Sequence, residues 1–269
     1  MSELKICRYL ISTKMKCWLR CTASAFAGQM SSCTPPELVA WRSSRTPSCS
    51  VMRVLVLSLR MPDNLSMDEG AAVQPLAIAM HACNRAGIHL GQKVVILGAG
   101  PIGILCAMTA RAMGASKILI TDVVQSRLDT ARELAADCTL LITREATDQQ
   151  VLDDIVAQLG GAPDVTIDAC AYASAQRIAM MVTKTGGVVL VVGIGEKKVE
   201  VPLTQALLRE VDIRGSYRIV NTYPAAIAAV SSGAIPLKKF ITHHYPLEKT
   251  TEALELAKSG NAMKIIIHV

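Results

Sequence analysis

The pattern of hydrophobic and polar positions changes near residue 61 of this 269-residue chain. Residues 1–60 show no sustained period, and their clusters of serine and proline argue against regular elements. From residue 61 onward, short apolar runs alternate with stretches of helical period. This alternation predicts strands at 93–97, 117–121, 139–142, 164–168, 187–192 and 212–215, and helices at 101–113, 125–136, 148–159 and 173–183.

A further helix is predicted before the first strand. Ser66 and Glu69 have the spacing of a capping box, and the apolar helix that they begin runs toward Gly87. The strands are β-branched and nearly continuous in hydrophobicity, which is typical of a parallel sheet covered by helices on both faces. The sequence therefore predicts an α/β fold with a doubly wound parallel sheet, a Rossmann domain.

The pattern after residue 215 differs from that of the alternating region. It predicts a helix at 223–231, a strand at 239–243, a helix at 247–258 and a strand at 263–269. We expect these last two strands to be edges of another, smaller sheet.

Charge is distributed unevenly between the two parts of the chain. The formal net charge is +6, but residues 1–60 hold nine Lys/Arg against two Glu, and the remainder holds nineteen basic and twenty acidic groups. The basic character is thus confined to the N-terminal segment, which argues against nucleic acid as a partner.

The cysteine pattern and the longest apolar run also exclude classes of protein. The nine cysteines do not resemble a secreted disulfide framework, and only Cys17 and Cys21 are spaced like a ligand pair. The apolar run at 94–110 is short for a bilayer, which needs about 20 residues, and it contains Gly98, Gly100 and Pro101. We therefore expect no membrane partner and a reducing compartment.

A glycine-rich motif carries the clearest chemistry. Gly98, Gly100 and Gly103 fit G-x-G-x-x-G between a strand and a helix, and Asp122 ends the next strand 19 residues later. In this context Gly98 permits the tight turn, Gly100 admits a pyrophosphate, and Gly103 lets the helix pack closely on the strand. Asp122 would bind the ribose hydroxyls and repel a 2′-phosphate, which favours NAD over NADP.

Each polar candidate also has a structural interpretation. The glycines could serve only a tight turn, with Asp122 as a helix cap, and Arg127 could stack beside the adenine ribose or lie on the helix surface. His81 fits a hydrogen-bonded core histidine, whereas His243 and His244 would point to opposite faces of a strand. Gln74 on its own fits a cap or turn.

Several segments together resemble the sorbitol (polyol) dehydrogenase branch of the zinc-dependent medium-chain dehydrogenases. They are MPDNLSMDEGAAVQPLAIAMHAC at 61–83, GAGPIG at 98–103 with ITD at 120–122, LLREVDIRGSYRIVNTYP at 207–224 and HHYPLEKTTEALELAKSG at 243–260. The resemblance covers 61–269. It implies a GroES-like, β-rich catalytic domain interrupted by a Rossmann domain, to which the chain end returns.

The resemblance implies domain boundaries and further site residues. We expect an unassigned irregular segment at 1–60, a linker or catalytic-domain remnant at 61–80, the NAD-binding domain at 81–215 and the C-terminal return at 216–269. The matched NAD-contacting positions are Ile102, Asp122, Arg127, Val192, Gly193, Ile194, Ser216, Tyr217 and Arg218, and Arg218 would also reach the polyol.

The sequence departs from the family at the metal. The family's zinc ligands are a Cys, a His and a Glu of the N-terminal catalytic domain, but no histidine precedes His81 here. Gln74 replaces the glutamate of the family's E-P-L motif, so it supplies no negative charge. We therefore expect no zinc ligands in this chain, although NAD and zinc are the family's cofactors, and Gln74 and Arg218 are the candidate catalytic residues.

Two functions stay open at this point. The first is NAD-dependent oxidation of a polyol secondary alcohol to a ketose, impaired here; the second is a catalytically silent dinucleotide-binding protein. Residues 1–60 would be either unrelated to the catalytic domain or a mitochondrial transit segment. The expected partners are a small-molecule polyol and a second copy or an intact paralogue, in the cytoplasm or alternatively in the mitochondrion.

Overall fold

The computed structural model describes residues 61–260 and 262–268. The expectations for residues 1–60, including the irregular segment and the Cys17–Cys21 pair, lie outside this part of the chain. No helix within the described part is long and apolar enough to cross a membrane.

The first described helix, α1, spans Met67–Ala86 and begins at the predicted capping box. The Ser66 hydroxyl accepts the Glu69 N–H, and the Glu69 carboxylate accepts the Ser66 N–H. The helix ends at Gly87, whose φ of 72° lies in the left-handed region that glycine tolerates. Gln74 was predicted as a cap or turn residue and lies inside the helix instead, because Pro75 is accommodated within it.

The predicted doubly wound sheet is present. Its strands are β1 (Lys93–Leu97), β2 (Lys117–Asp122), β3 (Cys138–Leu141), β4 (Val165–Asp168), β5 (Val188–Val191) and β6 (Asp212–Gly215). All neighbours are parallel, and the order is β3-β2-β1-β4-β5-β6. The order reverses between β1 and β4, which is where doubly wound folds bind nucleotides.

Helices cover both faces of this sheet. They are α2 (Pro101–Ala112), α3 (Gln125–Leu134), α4 (Asp148–Leu159), α5 (Ala173–Val182), α6 (Leu203–Leu207), which the sequence pattern did not predict, and α7 (Tyr223–Ser231). Alternate residues of β1 face opposite layers: Val94 and Ile96 pack with α1 and α2, whereas Val95 and Leu97 pack with α4 and α5. This arrangement explains why the strand is apolar throughout.

The helix α1 shares its core with α2 and α7. The boundary expected between residues 80 and 81 falls inside α1, and the domain division stays a prediction. His81 was expected to be a hydrogen-bonded core residue, but its side chain is only partly buried and has no hydrogen bond among the described residues. Partial burial, with the positive charge of Arg85 adding to it, lowers the pKa of His81.

The C-terminal strands differ from the prediction. Residues 238–240 form a 3-10 turn, Lys238–Phe240, because Leu237 and Phe240 are both buried and lie three residues apart. The strand expected at 239–243 therefore begins later, as β7 (His243–Pro246), and pairs in parallel with β8 (Ile265–His268). Between them lie a second 3-10 turn, Leu247–Lys249, and α8 (Thr250–Ser259).

Candidate dinucleotide site

The turn between β1 and α2 requires glycine at two positions. Gly98 has a φ of 105°, and its N–H donates to the Thr121 carbonyl oxygen at 2.9 Å, which joins the turn to the end of β2. A Cβ on Gly103 would lie 1.9 Å from the Gly98 carbonyl oxygen. Helix and strand thus approach so closely that no side chain fits at either position.

Gly100 has a different environment from these two glycines. A Cβ built there would meet no atom within 4 Å, so the loop itself does not need glycine at this position. Gly100 is the N-cap of α2 without a side-chain cap, and the N–H groups of Ile102 and Gly103 donate no hydrogen bond within the described residues. Unpaired N–H groups and the positive helix end suit a phosphate.

Asp122 is buried at the carboxyl end of β2 and has a structural role of its own. One carboxylate oxygen accepts the Ala99 N–H at 2.8 Å, and the other accepts the Val124 N–H at 2.9 Å at the start of α3. A carboxylate has about four acceptor positions, so two stay open for ribose hydroxyls. Asp122 thus accepts the N–H of Val124, the N-cap residue of α3, and does not itself cap the helix, and this contact is compatible with ribose binding.

Arg127 lies beside Asp122 and contacts the C-terminal part of the chain. Its guanidinium donates to the Gly260 carbonyl oxygen at 3.1 and 3.2 Å and lies 3.9 Å from an Asp122 oxygen. The guanidinium is therefore held against the C-terminal part of the chain and does not lie free on the helix surface. Its assignment to the adenine ribose stays a prediction.

The remaining predicted cofactor positions follow β5 and β6, whose carboxyl ends are adjacent in the sheet. A Cβ on Gly193 would lie 2.6 Å from the Ala171 nitrogen, so this loop is closely packed. Ser216 Oγ is buried and has no hydrogen-bond partner among the described residues, which is unusual for a buried hydroxyl. Such an atom is available to a ligand.

The exposed members of this group lie beside Ser216 and Gly193. The side chains of Ile194 and Tyr217 are exposed, and Val192 is partly buried. The Arg218 guanidinium lies 5.2 Å from the Tyr217 ring centroid, and Arg218 itself has a φ of 58°, a strained value for this residue type. Backbone strain of this kind concentrates at functional positions.

The structure adds Asp168, which the sequence analysis did not select. It ends β4 beside β1 and is fully buried, and its Oδ1 accepts the N–H groups of Cys170 and Ala171. Its Oδ2 has no partner among the described residues. The sequence did contain a signal for Asp168. The strand predicted at 164–168 ends in an aspartate, as β2 does at Asp122.

Cys170 lies next to Asp168 and against Gly98. Burial is the main reason that its pKa is raised, to about 12, with the Asp168 carboxylate adding to the effect. The thiol therefore stays protonated at neutral pH and is not a nucleophile.

The residues described here do not fit a zinc ion at Gln74. Gln74 presents a neutral amide from the interior of α1. Zinc prefers thiolate, imidazole and carboxylate ligands. Gln74 therefore does not provide a zinc ligand of this kind.

Comparison with known proteins shows what this chain is similar to. The profile of a family described as "Zinc-binding dehydrogenase" matches residues 101–232. Sorbitol dehydrogenase of Bombyx mori is 72% identical over 210 residues, which cover 78% of this chain and 60% of that protein. Over the matched residues this chain is similar to the zinc-binding dehydrogenases and, among them, to the sorbitol dehydrogenases. It spans about three fifths of the length of the curated relatives it matches.

Solved structures of dehydrogenases show the same architecture. L-idonate 5-dehydrogenase from Escherichia coli superposes with a TM-score of 0.69 at 28% identity, over 78% of this chain and 59% of that chain. A zinc-binding dehydrogenase from Sinorhizobium meliloti bound to NADP has a TM-score of 0.71 at 27% identity, over 78% of this chain and 61% of that chain. The resemblance noted in the sequence is thereby confirmed, and so is the doubly wound fold.

Proposed function

We propose that this chain binds NAD at the β1–α2 turn and is a dehydrogenase that oxidises a secondary alcohol of a polyol to a ketone. The single observation that carries the proposal is the joint placement of the Gly98–Gly103 turn and the buried Asp122 carboxylate, hydrogen-bonded together. A carboxylate at this position accepts two ribose hydroxyls and repels a 2′-phosphate, which selects NAD over NADP.

The assigned positions divide by the part of the cofactor they would meet. The turn and the start of α2, from Gly98 through Gly100 and Ile102 to Gly103, would hold the pyrophosphate, and Asp122 with Arg127 would hold the adenosine. The positions after β5 and β6 would border the nicotinamide: Val192, Gly193, Ile194, Ser216, Tyr217 and Arg218. When bound, NAD accepts the hydride from the alcohol carbon. Arg218 would donate hydrogen bonds to the polyol hydroxyls, and Gln74 is the second candidate catalytic residue.

The second candidate function is a silent dinucleotide-binding protein. Gln74 favours this second function. It stands where the family has a glutamate beside its metal, and a neutral amide there supplies no negative charge to the metal site. In this proposal the chain binds NAD without turnover and associates with a second copy or an intact paralogue. Its compartment would be the cytoplasm, or the mitochondrion if residues 1–60 act as a transit segment.

The two functions separate in one pair of measurements on the purified full chain. Calorimetric titration with NAD and with NADP measures cofactor binding, and absorbance of NADH measures turnover with sorbitol or xylitol in the presence of zinc. NAD binding with turnover supports the dehydrogenase, whereas NAD binding without turnover supports the silent protein. Absence of NAD binding contradicts both.

A further inference from the structure

Three polar side chains from distant parts of the sequence meet beside the small C-terminal sheet. His244 is on β7, His268 is on β8, and Asp68 is in the first turn of α1. In the parallel register Pro246 pairs with His268 and His244 pairs with Ile266, so the two histidines lie two positions apart on one face. The three side chains therefore form one cluster, which we call the His-His-Asp cluster.

The donor atoms of the His-His-Asp cluster lie close to one another. His244 Nδ1 lies 3.0 Å from His268 Nε2 and 3.5 Å from an Asp68 carboxylate oxygen. One ligand atom from each of the three residues lies within 4.8 Å of the other two. The imidazole planes differ by only 17°, with ring centroids 5.2 Å apart, so the two rings are nearly parallel.

These separations suit a metal ion. Zinc binds imidazole nitrogen at about 2.0–2.1 Å and carboxylate oxygen at about 2.0–2.2 Å, so neighbouring ligand atoms around a tetrahedral ion lie about 3.3 Å apart. The 3.0 and 3.5 Å distances around His244 Nδ1 bracket that value. On the third side the nearest His268 nitrogen to Asp68 is Nδ1, at 3.9 Å, so the His268 ring would turn to bring one nitrogen to the ion. In the metal-free cluster one imidazole N–H donates to the other nitrogen. Metal binding would require this proton to move to the far nitrogen of the same ring, so that both facing nitrogens offer lone pairs and both imidazoles stay neutral.

Access and charge also favour an ion here. Both imidazoles are about half exposed and the Asp68 side chain is about one third exposed, so an ion can enter and keep water as a further ligand. Two neutral imidazoles and one carboxylate supply a single negative charge and borderline donors, a set that suits a divalent transition metal better than calcium or magnesium.

We propose that Asp68, His244 and His268 bind a zinc ion. The site joins the start of α1 to the β7–β8 sheet, elements that lie about 180 residues apart in the sequence. A ligand that binds only the folded state stabilises it by mass action, so zinc would raise the melting temperature of the chain. The site does not depend on NAD, and its test is independent of the proposed function.

The chain offers a matched control for this site. His243 precedes His244 on the same strand, and its ring contacts the Thr242 hydroxyl instead of the His-His-Asp cluster. We would titrate Zn²⁺ into the full-length protein by calorimetry and compare wild type with His244→Ala, His268→Ala, Asp68→Asn and His243→Ala. Each ligand variant should lose one bound zinc or weaken its affinity by at least about tenfold, as removal of even an outer-shell partner does.

His243→Ala should bind zinc as the wild type does, and the far-ultraviolet circular dichroism of every variant should match that of the wild type, which shows that the fold is intact. Co²⁺ absorption serves as the second measurement, because cysteine ligands add strong near-ultraviolet charge-transfer bands that imidazole and carboxylate ligands lack. A Co²⁺ spectrum without those bands that disappears in His244→Ala supports the site. Equal zinc stoichiometry and affinity in wild type and in all three ligand variants would overturn it.

Discussion

The Asp122 carboxylate accepts a hydrogen bond from the Ala99 N–H, with 2.8 Å between the two atoms. This contact joins the last residue of β2 to the glycine turn after β1 and holds the turn in place. The other Asp122 oxygen accepts the Val124 N–H, so the same carboxylate also sets the start of α3. One buried side chain thus aligns the two segments that would meet the pyrophosphate and the adenosine.

Replacing Asp122 should change cofactor preference. Asp122→Asn removes the negative charge that repels a 2′-phosphate, so the ratio of NADP to NAD affinity should rise at least about tenfold, the effect of about 1.4 kcal/mol. Calorimetric titration with both cofactors measures it. The exposed Asp129→Asn on α3 is the control and should leave the ratio unchanged. An unchanged ratio in Asp122→Asn would remove the basis for NAD selection.

Substitution of Gly103 should act on stability. The Cβ of Gly103→Ala would lie 1.9 Å from the Gly98 carbonyl oxygen, so the helix or the strand must shift. Overpacking of this kind costs about 1–3 kcal/mol. Urea unfolding, monitored by circular dichroism, should show this decrease in the free energy of unfolding. A variant as stable as the wild type would contradict the close packing at this turn.

Substitution of Gly100 should act on binding and not on stability. A Cβ at Gly100 contacts nothing within 4 Å, and its φ of −71° is ordinary for alanine. The free energy of unfolding of Gly100→Ala should therefore lie within about 0.5 kcal/mol of that of the wild type. Its NAD affinity should fall at least about tenfold, because the methyl group occupies the space meant for the pyrophosphate. Unaltered NAD affinity would show that the phosphates bind elsewhere.

The Asp164 carboxyl should make the free energy of unfolding vary with pH in the acid range. Burial alone would raise the pKa of its carboxyl, but hydrogen bonds from the Lys184 ammonium and the Lys93 N–H outweigh it and place the pKa below its ordinary value. A carboxyl whose pKa is lower in the folded state than in the unfolded state stabilises the fold. This stabilisation is complete above the unfolded-state pKa and is lost as the pH falls through the folded-state pKa.

Asp164→Asn tests this dependence. At neutral pH the variant should be less stable by about 1 kcal/mol, since Lys184 is half exposed and its ion pair is screened. The difference from wild type should shrink as the pH falls below 4. Denaturant unfolding at several pH values measures it, with the exposed Asp153→Asn as control. A difference that does not vary with pH would assign the effect to packing.

Local pattern accounts for the parts of this structure that the sequence predicted. The capping box at Ser66, the first four βα units and the turn at Gly98 depend on residues within a few positions of one another, and their periodicity is visible in the chain itself. The strand predicted at 239–243 begins later in the structure, because the chain makes a 3-10 turn at Lys238–Phe240 that buries Leu237 and Phe240 together.

By itself, the sequence determined the doubly wound fold, the glycine turn and the carboxylate that follows it, because these follow from local periodicity and spacing. Only the tertiary structure decided that Asp168 is buried with an unpaired oxygen, that Gln74 lies inside a helix, and that Asp68 meets His244 and His268. Those relationships depend on strand register and helix packing between segments far apart in the chain, and no local pattern encodes such distances.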